Sequence, residues 1–208
     1  MLAEAANPRP GPLSGVPFTV KDSFDTECVR TARGSRLFAE RVPPVDASAV
    51  ARLRAAGAVL IGKTNLPDMS YWTETDNCLS GRTVNPYDPS RTPGGSSGGE
   101  SAAIAAGLSP LGLGSDVAIS VRGPAHDTGI AALKPSYGRI PLEGHFPAAL
   151  LRWWHAGPMA RSVRDLRLAL AVMDGSAGRG PRPPAAPGAR QQWRIGWSGM
   201  PSAPWLPP

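Results

Sequence analysis

Residues 92–101 read TPGGSSGGES and run straight into AAIAAG, a small-residue segment ended by Gly107. Four glycines, three serines and a proline at the mouth of an alanine-rich run constrain this chain more than any other ten residues. Three uses compete for such a block. A phosphate cradle needs backbone N–H groups at a helix N-terminus, which a Gly-rich loop supplies. A P-loop, however, also needs Gly-Lys-Ser/Thr entering the helix, and here Gly99 is followed by Glu100 and Ser101, an acid that repels phosphate. A plain turn is the second use, since Gly-Ser turns are common. The third is a set of hydroxyls held for chemistry.

Flanking segments give the architecture. GVPFTV (15–20) reads as a short buried strand that delivers Lys21 at its end. DASAVARLRAAG (46–57) reads as a helix with Asp46 as cap, Val50 and Leu53 on one face and Gly57 at the C′ position. AVLIGKTN follows as a continuous apolar strand, and that strand–helix–strand order predicts an α/β fold with a covered sheet. GGESAAIAAG is a small-residue helix packed on the sheet, PLGLGSDV is a further strand, and residues 73–93 are turn-rich. SVRDLRLALAVMDG (162–175) is the clearest helix, with Ser162 and Asp165 as a shortened capping box and Val163, Leu166, Leu170 and Met173 as its apolar stripe. Residues 1–14 read as a poorly ordered lead-in. Residues 176–208 hold eight prolines in 33 residues and read as a Pro/Gly/Arg-rich linker and tail. The domain division is therefore 1–175 and 176–208.

Charge helps to exclude partners. Of a net +6, the tail carries +4 as Arg179, Arg182, Arg190 and Arg194 with no acid, which leaves a nearly balanced body. Neither a nucleic-acid nor a membrane partner is expected. Cys28 and Cys78 lie outside any C-x-x-C pair and read as free thiols, and His126, His145 and His155 lack ligand spacing, so no metal is expected. The N-terminus has no signal-peptide pattern, and the expected localisation is cytoplasmic.

A lysine after one apolar strand and a second serine after another, in LGLGSDVAISVRGPA, add company to the Gly/Ser block. Taken in order, GPLSGVPFTVKDSF, GAVLIGKTNLPD, NPYDPSRTPGGSSGGESAAIAAG, LGLGSDVAISVRGPA, LKPSYGRIP and GPMARSVRDLRLAL resemble the amidase signature family of serine hydrolases over about residues 11–175. The resemblance implies a mixed sheet covered by helices and a Ser-Ser-Lys triad that hydrolyses carboxamides through an acyl-serine. By matching position, Ser120 is the nucleophile, Ser96 the bridging serine after a cis Gly95–Ser96 bond, and Lys21 the base. A buried lysine loses its proton more easily, because low dielectric disfavours the ammonium, and a serine hydroxyl can both donate and accept.

The same resemblance puts the oxyanion hole at Val117, Ala118 and Ile119, leading into Ser120. Here the sequence departs from the family, which usually has two glycines where this chain has Ala118 and Ile119. If either position needs positive φ, a β-branched residue is strongly disfavoured. Either the loop tolerates Cβ atoms or the hole is damaged. Asp127 stands where an aromatic is common. Ser97, Asp116 and Arg122 are supporting candidates: Ser97 as a structural donor to its loop, Asp116 as a cap or brace, and Asp22 and Arg122 either orienting the triad or forming local salt links. Trp153 and Trp154 are candidates for lining the pocket or for packing.

Family members are considerably longer, and the chain reads as shortened at its C-terminus. The expected partners are a small-molecule amide and, in solution, a homodimer; no cofactor is expected. Two alternatives stand beside the hydrolase. One is an amidotransferase A-type subunit, and the other is a catalytically silent remnant or interaction module.

Overall fold

Strand β1 (Pro17–Lys21) sends alternate residues to opposite faces of its sheet, as the pleat requires. A computed structural model describes residues 6–148 and 152–176. Phe18 and Val20 enter an apolar core with Val50, Leu53, Leu60, Leu111 and Leu113, all nearly free of solvent. Thr19 and Lys21 point the other way and are also buried. Pro17 opens the strand, where its missing N–H costs least.

The remaining elements are α1 (Ser48–Ala55), β2 (Val59–Thr64), α2 (Gly98–Ala105), β3 (Leu111–Asp116), α3 (Arg122–Thr128), β4 (Ala131–Ala132), β5 (His155–Ala160) and α4 (Val163–Met173). Their sheet runs β2-β1-β3-β5-β4. β1 is parallel to β2 and to β3, while β5 runs antiparallel to β3 and β4. The sheet is therefore mixed and helix-covered, an α/β architecture. α1 and α4 bury Val50, Leu53, Ala169, Val172 and Met173 against the face that carries Phe18 and Val20. Ile104 of α2, Val121 and Met159 form a smaller cluster on the other face. Among the described residues no helix is long and apolar enough to cross a membrane.

Several expectations need correction. Asp46 does not cap α1: its carboxylate instead accepts the Glu27 amide at 2.7 Å and pairs with Arg54 at 3.2 Å, and Ala47 occupies the cap position. Gly57 does sit at C′ with φ +91°. β2 is an edge strand, and Ile61 is 42% exposed rather than covered. In α4 the Ser162 hydroxyl accepts the Asp165 amide as expected. The buried stripe is shifted, however: Val163 is exposed and Leu170 only partly buried against the core, while Leu166, Ala169, Val172 and Met173 face inward. The lead-in is not loose throughout, since Leu13 is buried and its amide donates to Ala56 O at 2.9 Å. Residues 1–5 and, apart from Ser176, the tail lie outside the described residues.

Candidate active site

Three segments converge at the carboxyl ends of β1 and β3, the position where open α/β sheets hold their ligands. β1 ends on Lys21, the Gly/Ser block leads into α2, and the turn after β3 carries Ser120 into α3.

Lys21 is fully buried. Its Nζ donates to Ser96 Oγ at 2.6 Å and to Ser115 Oγ at 3.0 Å. Burial lowers its pKa from 10.5 to about 7, while the carboxylates of Asp116 and Glu100 pull it back up. The amine is thus substantially deprotonated just above neutrality. One hydroxyl can then donate to its lone pair while the amine donates to the other.

The Gly/Ser block is neither a loose turn nor a phosphate cradle. Gly94 has φ +81°, and a Cβ there would stand 2.9 Å from Pro124 Cα. A Cβ on Gly99 would stand 2.5 Å from the Asn65 backbone. The chain is packed too closely for side chains, and the Gly98 amide is taken by Thr75 Oγ1 at 3.1 Å. The Gly95–Ser96 bond is cis, and Ser96 is fully buried. Ser97 stitches the block to its neighbours. Its amide donates to Ser120 O at 3.1 Å, and its hydroxyl donates to Ser115 O at 3.3 Å and accepts the Ser115 amide at 3.4 Å.

Ser120 is 6% exposed and reaches the block through that backbone bond; among the described residues no hydrogen bond joins its hydroxyl to Ser96. Such contacts commonly tighten only when substrate binds. Val117, Ala118 and Ile119 form the turn before it. The described non-glycine residues with positive φ are Cys28, Arg33, Met69 and Ser70, so the turn is built without the left-handed geometry that would exclude Ala118 and Ile119. The amides of Ala118, Ile119 and Ser120 have no acceptor among the described residues. Ile119 lines an open cleft of about 380 Å³ together with Thr73, Gly95, Arg122, His126 and Asp127.

Asp116 anchors the turn. Its buried carboxylate accepts the Val121 amide at 3.0 Å and both Nε and Nη2 of Arg122, at 3.1 and 3.0 Å. Arg122 Nη2 also donates to Ala118 O, clamping the turn from the outside. Burial pushes the Asp116 carboxyl up, but the guanidinium and amide outweigh it and hold it below the usual range.

Asp22 belongs to a different cluster. It pairs with Lys63 at 3.3 Å and accepts the amides of Ala32 and Arg33, which is a local salt link rather than a contact with Lys21. Trp154 is buried with its ring against His145, which also meets Phe24, while Trp153 is exposed. Cys28 and Cys78 are free and exposed, and among the described residues no group of three or more His, Cys, Asp or Glu is placed to hold a metal. Sequence reasoning missed Ser115 and Glu100. Ser115 directly precedes Asp116 at the end of a strand paired to β1, and Glu100 is a charge inside an otherwise small-residue helix; these were the available signals.

The Amidase family model matches residues 2–196. The chain is 50% identical over 182 residues to the A-type subunit of the glutamyl-tRNA(Gln) amidotransferase of Thermus thermophilus, an alignment that takes in 87% of this chain and 38% of that protein. The corresponding protein of Deinococcus radiodurans is 43% identical over 185 residues, 89% of this chain and 38% of its own length. Among solved structures, a 6-aminohexanoate cyclic dimer hydrolase complexed with substrate superposes with a TM-score of 0.79 at 38% identity, over 87% of this chain and 38% of that one. A peptide amidase in complex with the inhibitor chymostatin gives 0.74 at 36% identity, over 82% and 35%. The chain thus spans little more than a third of the length of each of these four proteins.

Proposed function

This chain belongs to the Amidase family, and from that premise we propose that residues 1–175 carry the acyl-transfer centre of an amide hydrolase. Ser120 Oγ attacks the carboxamide carbon. As that C–O bond forms, the Ser120 proton passes to Ser96 Oγ, and the Ser96 proton passes to the neutral Lys21 amine. The carbonyl electron pair moves onto oxygen, where the amides of Ala118, Ile119 and Ser120 are the available donors. When the C–N bond breaks, the lysine proton returns through Ser96 to the leaving ammonia or amine. Water then releases the acyl group by the same relay in reverse. No cofactor enters these steps. Ser97 and the Asp116–Arg122 pair hold the two serine loops in register. The substrate class is a small linear amide, and the setting is cytoplasmic.

The observation that supports this most is the fully buried Lys21 amine within 2.6 Å of Ser96, with a pKa brought near neutrality. The test is ammonia release from small amides by the chain and by its Ser120→Ala variant. The proposal expects release that disappears in the variant; equal, non-zero rates in both would sink it.

A second reading is an amidotransferase A-type subunit, favoured by the 50% identity to a protein of that name. In that case ammonia release depends on an added partner protein. Release at a rate unchanged by such a partner argues for the free-standing hydrolase.

A further inference from the structure

Glu100 is a carboxyl where the fold has every opportunity to place an apolar group. It lies in the first turn of α2 and is completely buried. The sheet beneath it is shaped to receive it. Thr19 Oγ1 of β1 donates to its Oε1, and Thr64 Oγ1 of β2 donates to its Oε2 at 2.6 Å. On β3, Gly112 pairs with Thr19, and a Cβ there would collide with Oε1. Three strands thus build a notch of two hydroxyls and one absent side chain for a single carboxyl group. Thr19 and Lys21 are two residues apart on β1, so they project from the same face, and the notch adjoins the Lys21 amine.

The charges around this pair come from every surrounding element. Asp116 of β3 and Glu100 act on Lys21, Lys21 in turn acts on the buried His145, and Lys21 and Lys63 act on Glu100. Asp116 is already committed to Arg122 and Lys63 to Asp22. The donors to Glu100 among the described residues are neutral hydroxyls, and of the two lysines that act on it Lys21 acts more strongly, while Lys63 is paired with Asp22. Burial pushes the Glu100 carboxyl up to about 7, and the two threonine hydroxyls act against this.

We propose that Glu100 is a positioning residue whose carboxylate is the counter-charge for the ammonium that Lys21 becomes on taking up the Ser96 proton as Ser120 attacks. This rests on the hydrolase reading above. Before the proton moves, the amine is neutral and the carboxylate gains little from it. After the move the two form an ion pair in low dielectric. The stabilisation therefore appears as the reaction advances, which is the kind that lowers a barrier.

The test uses the whole chain, whose only lysines are Lys21, Lys63 and Lys134. Lysines labelled with 13C at Cε are titrated by NMR and assigned through Lys63→Arg and Lys134→Arg. In the native chain Lys21 should titrate near 7. In Glu100→Gln its midpoint should fall by about one unit or more, and the acid limb of Ser120 labelling by a fluorophosphonate should move to lower pH with it. A merely structural role would lower stability and leave the midpoint in place. An unchanged midpoint in the folded variant overturns the inference alone, whereas a native Lys21 titrating at its ordinary high value overturns the hydrolase reading as well. If Glu100→Gln does not fold, Glu100→Asp, which withdraws the carboxylate by one methylene, should shift the midpoint in the same direction by less; no shift there overturns the inference equally.

Discussion

The two faces of β1 have opposite chemistries. Phe18 and Val20 meet Val50, Leu53 and Leu60 in an apolar layer, while Thr19 and Lys21, on the same five-residue strand, meet Glu100, Ser96 and Ser115. The apolar layer holds the strand because each large side chain buried there contributes roughly 1.5–3 kcal/mol. The polar layer works against stability, because a neutral buried lysine is disfavoured relative to the solvated ammonium of the unfolded chain. One face supplies the rigidity that lets the other hold an amine whose pKa burial lowers to about 7.

That contrast can be broken from either side. The largest effect should come from Ser120→Ala, which leaves both faces intact and should reduce amide turnover by about 10³-fold or more with an unchanged unfolding midpoint. Phe18→Ala should act only through the fold and cost about 3–5 kcal/mol, read from urea denaturation. Lys21→Met should abolish turnover yet alter how stability depends on pH. The native amine loses its proton near 7 and the unfolded one near 10.5, so unfolding takes up a proton between these values and wild-type stability rises with pH across that window. The methionine variant should lose that rise, which urea midpoints at pH 7 and pH 9 would show as a narrowing difference. Asp116→Asn removes the carboxylate charge from the Arg122 clamp and should cost about 2 kcal/mol with a clear loss of turnover. Smallest of all, Asp46→Ala lies under neither layer and should cost about 1 kcal/mol or less with turnover unchanged.

Legibility in the sequence follows the same division. The strands and helices that carry the apolar layer announce themselves by local pattern, and β1, β2, α1, α2, β3 and α4 lie where periodicity puts them. β5 was not readable, because HAGPMA contains glycine and proline and becomes a strand only through pairing with β3. The exposure of Val163 was equally hidden, since the angle of a helix on its sheet depends on a partner far away in the chain. In the polar layer, Lys21, Ser96 and Ser120 stood out through motif resemblance. Ser115 and Glu100 did not, because each gains its meaning from a contact across 94 or 81 residues of chain. From sequence alone Ala118 and Ile119 left two readings open, a loop that tolerates Cβ atoms or a damaged hole. The turn they occupy accepts Cβ atoms because its φ angles stay out of the left-handed region.

The most direct test of the central claim is a fluorophosphonate reaction with the folded chain, with the adduct located by mass spectrometry and its rate followed from about pH 5 to about pH 9, on either side of the Lys21 titration. A single adduct on Ser120, forming faster as pH rises through about 7 and lost in Lys21→Met, is the predicted result. A folded chain that forms no adduct, or forms it at Ser120 with a rate indifferent to Lys21, would contradict the account.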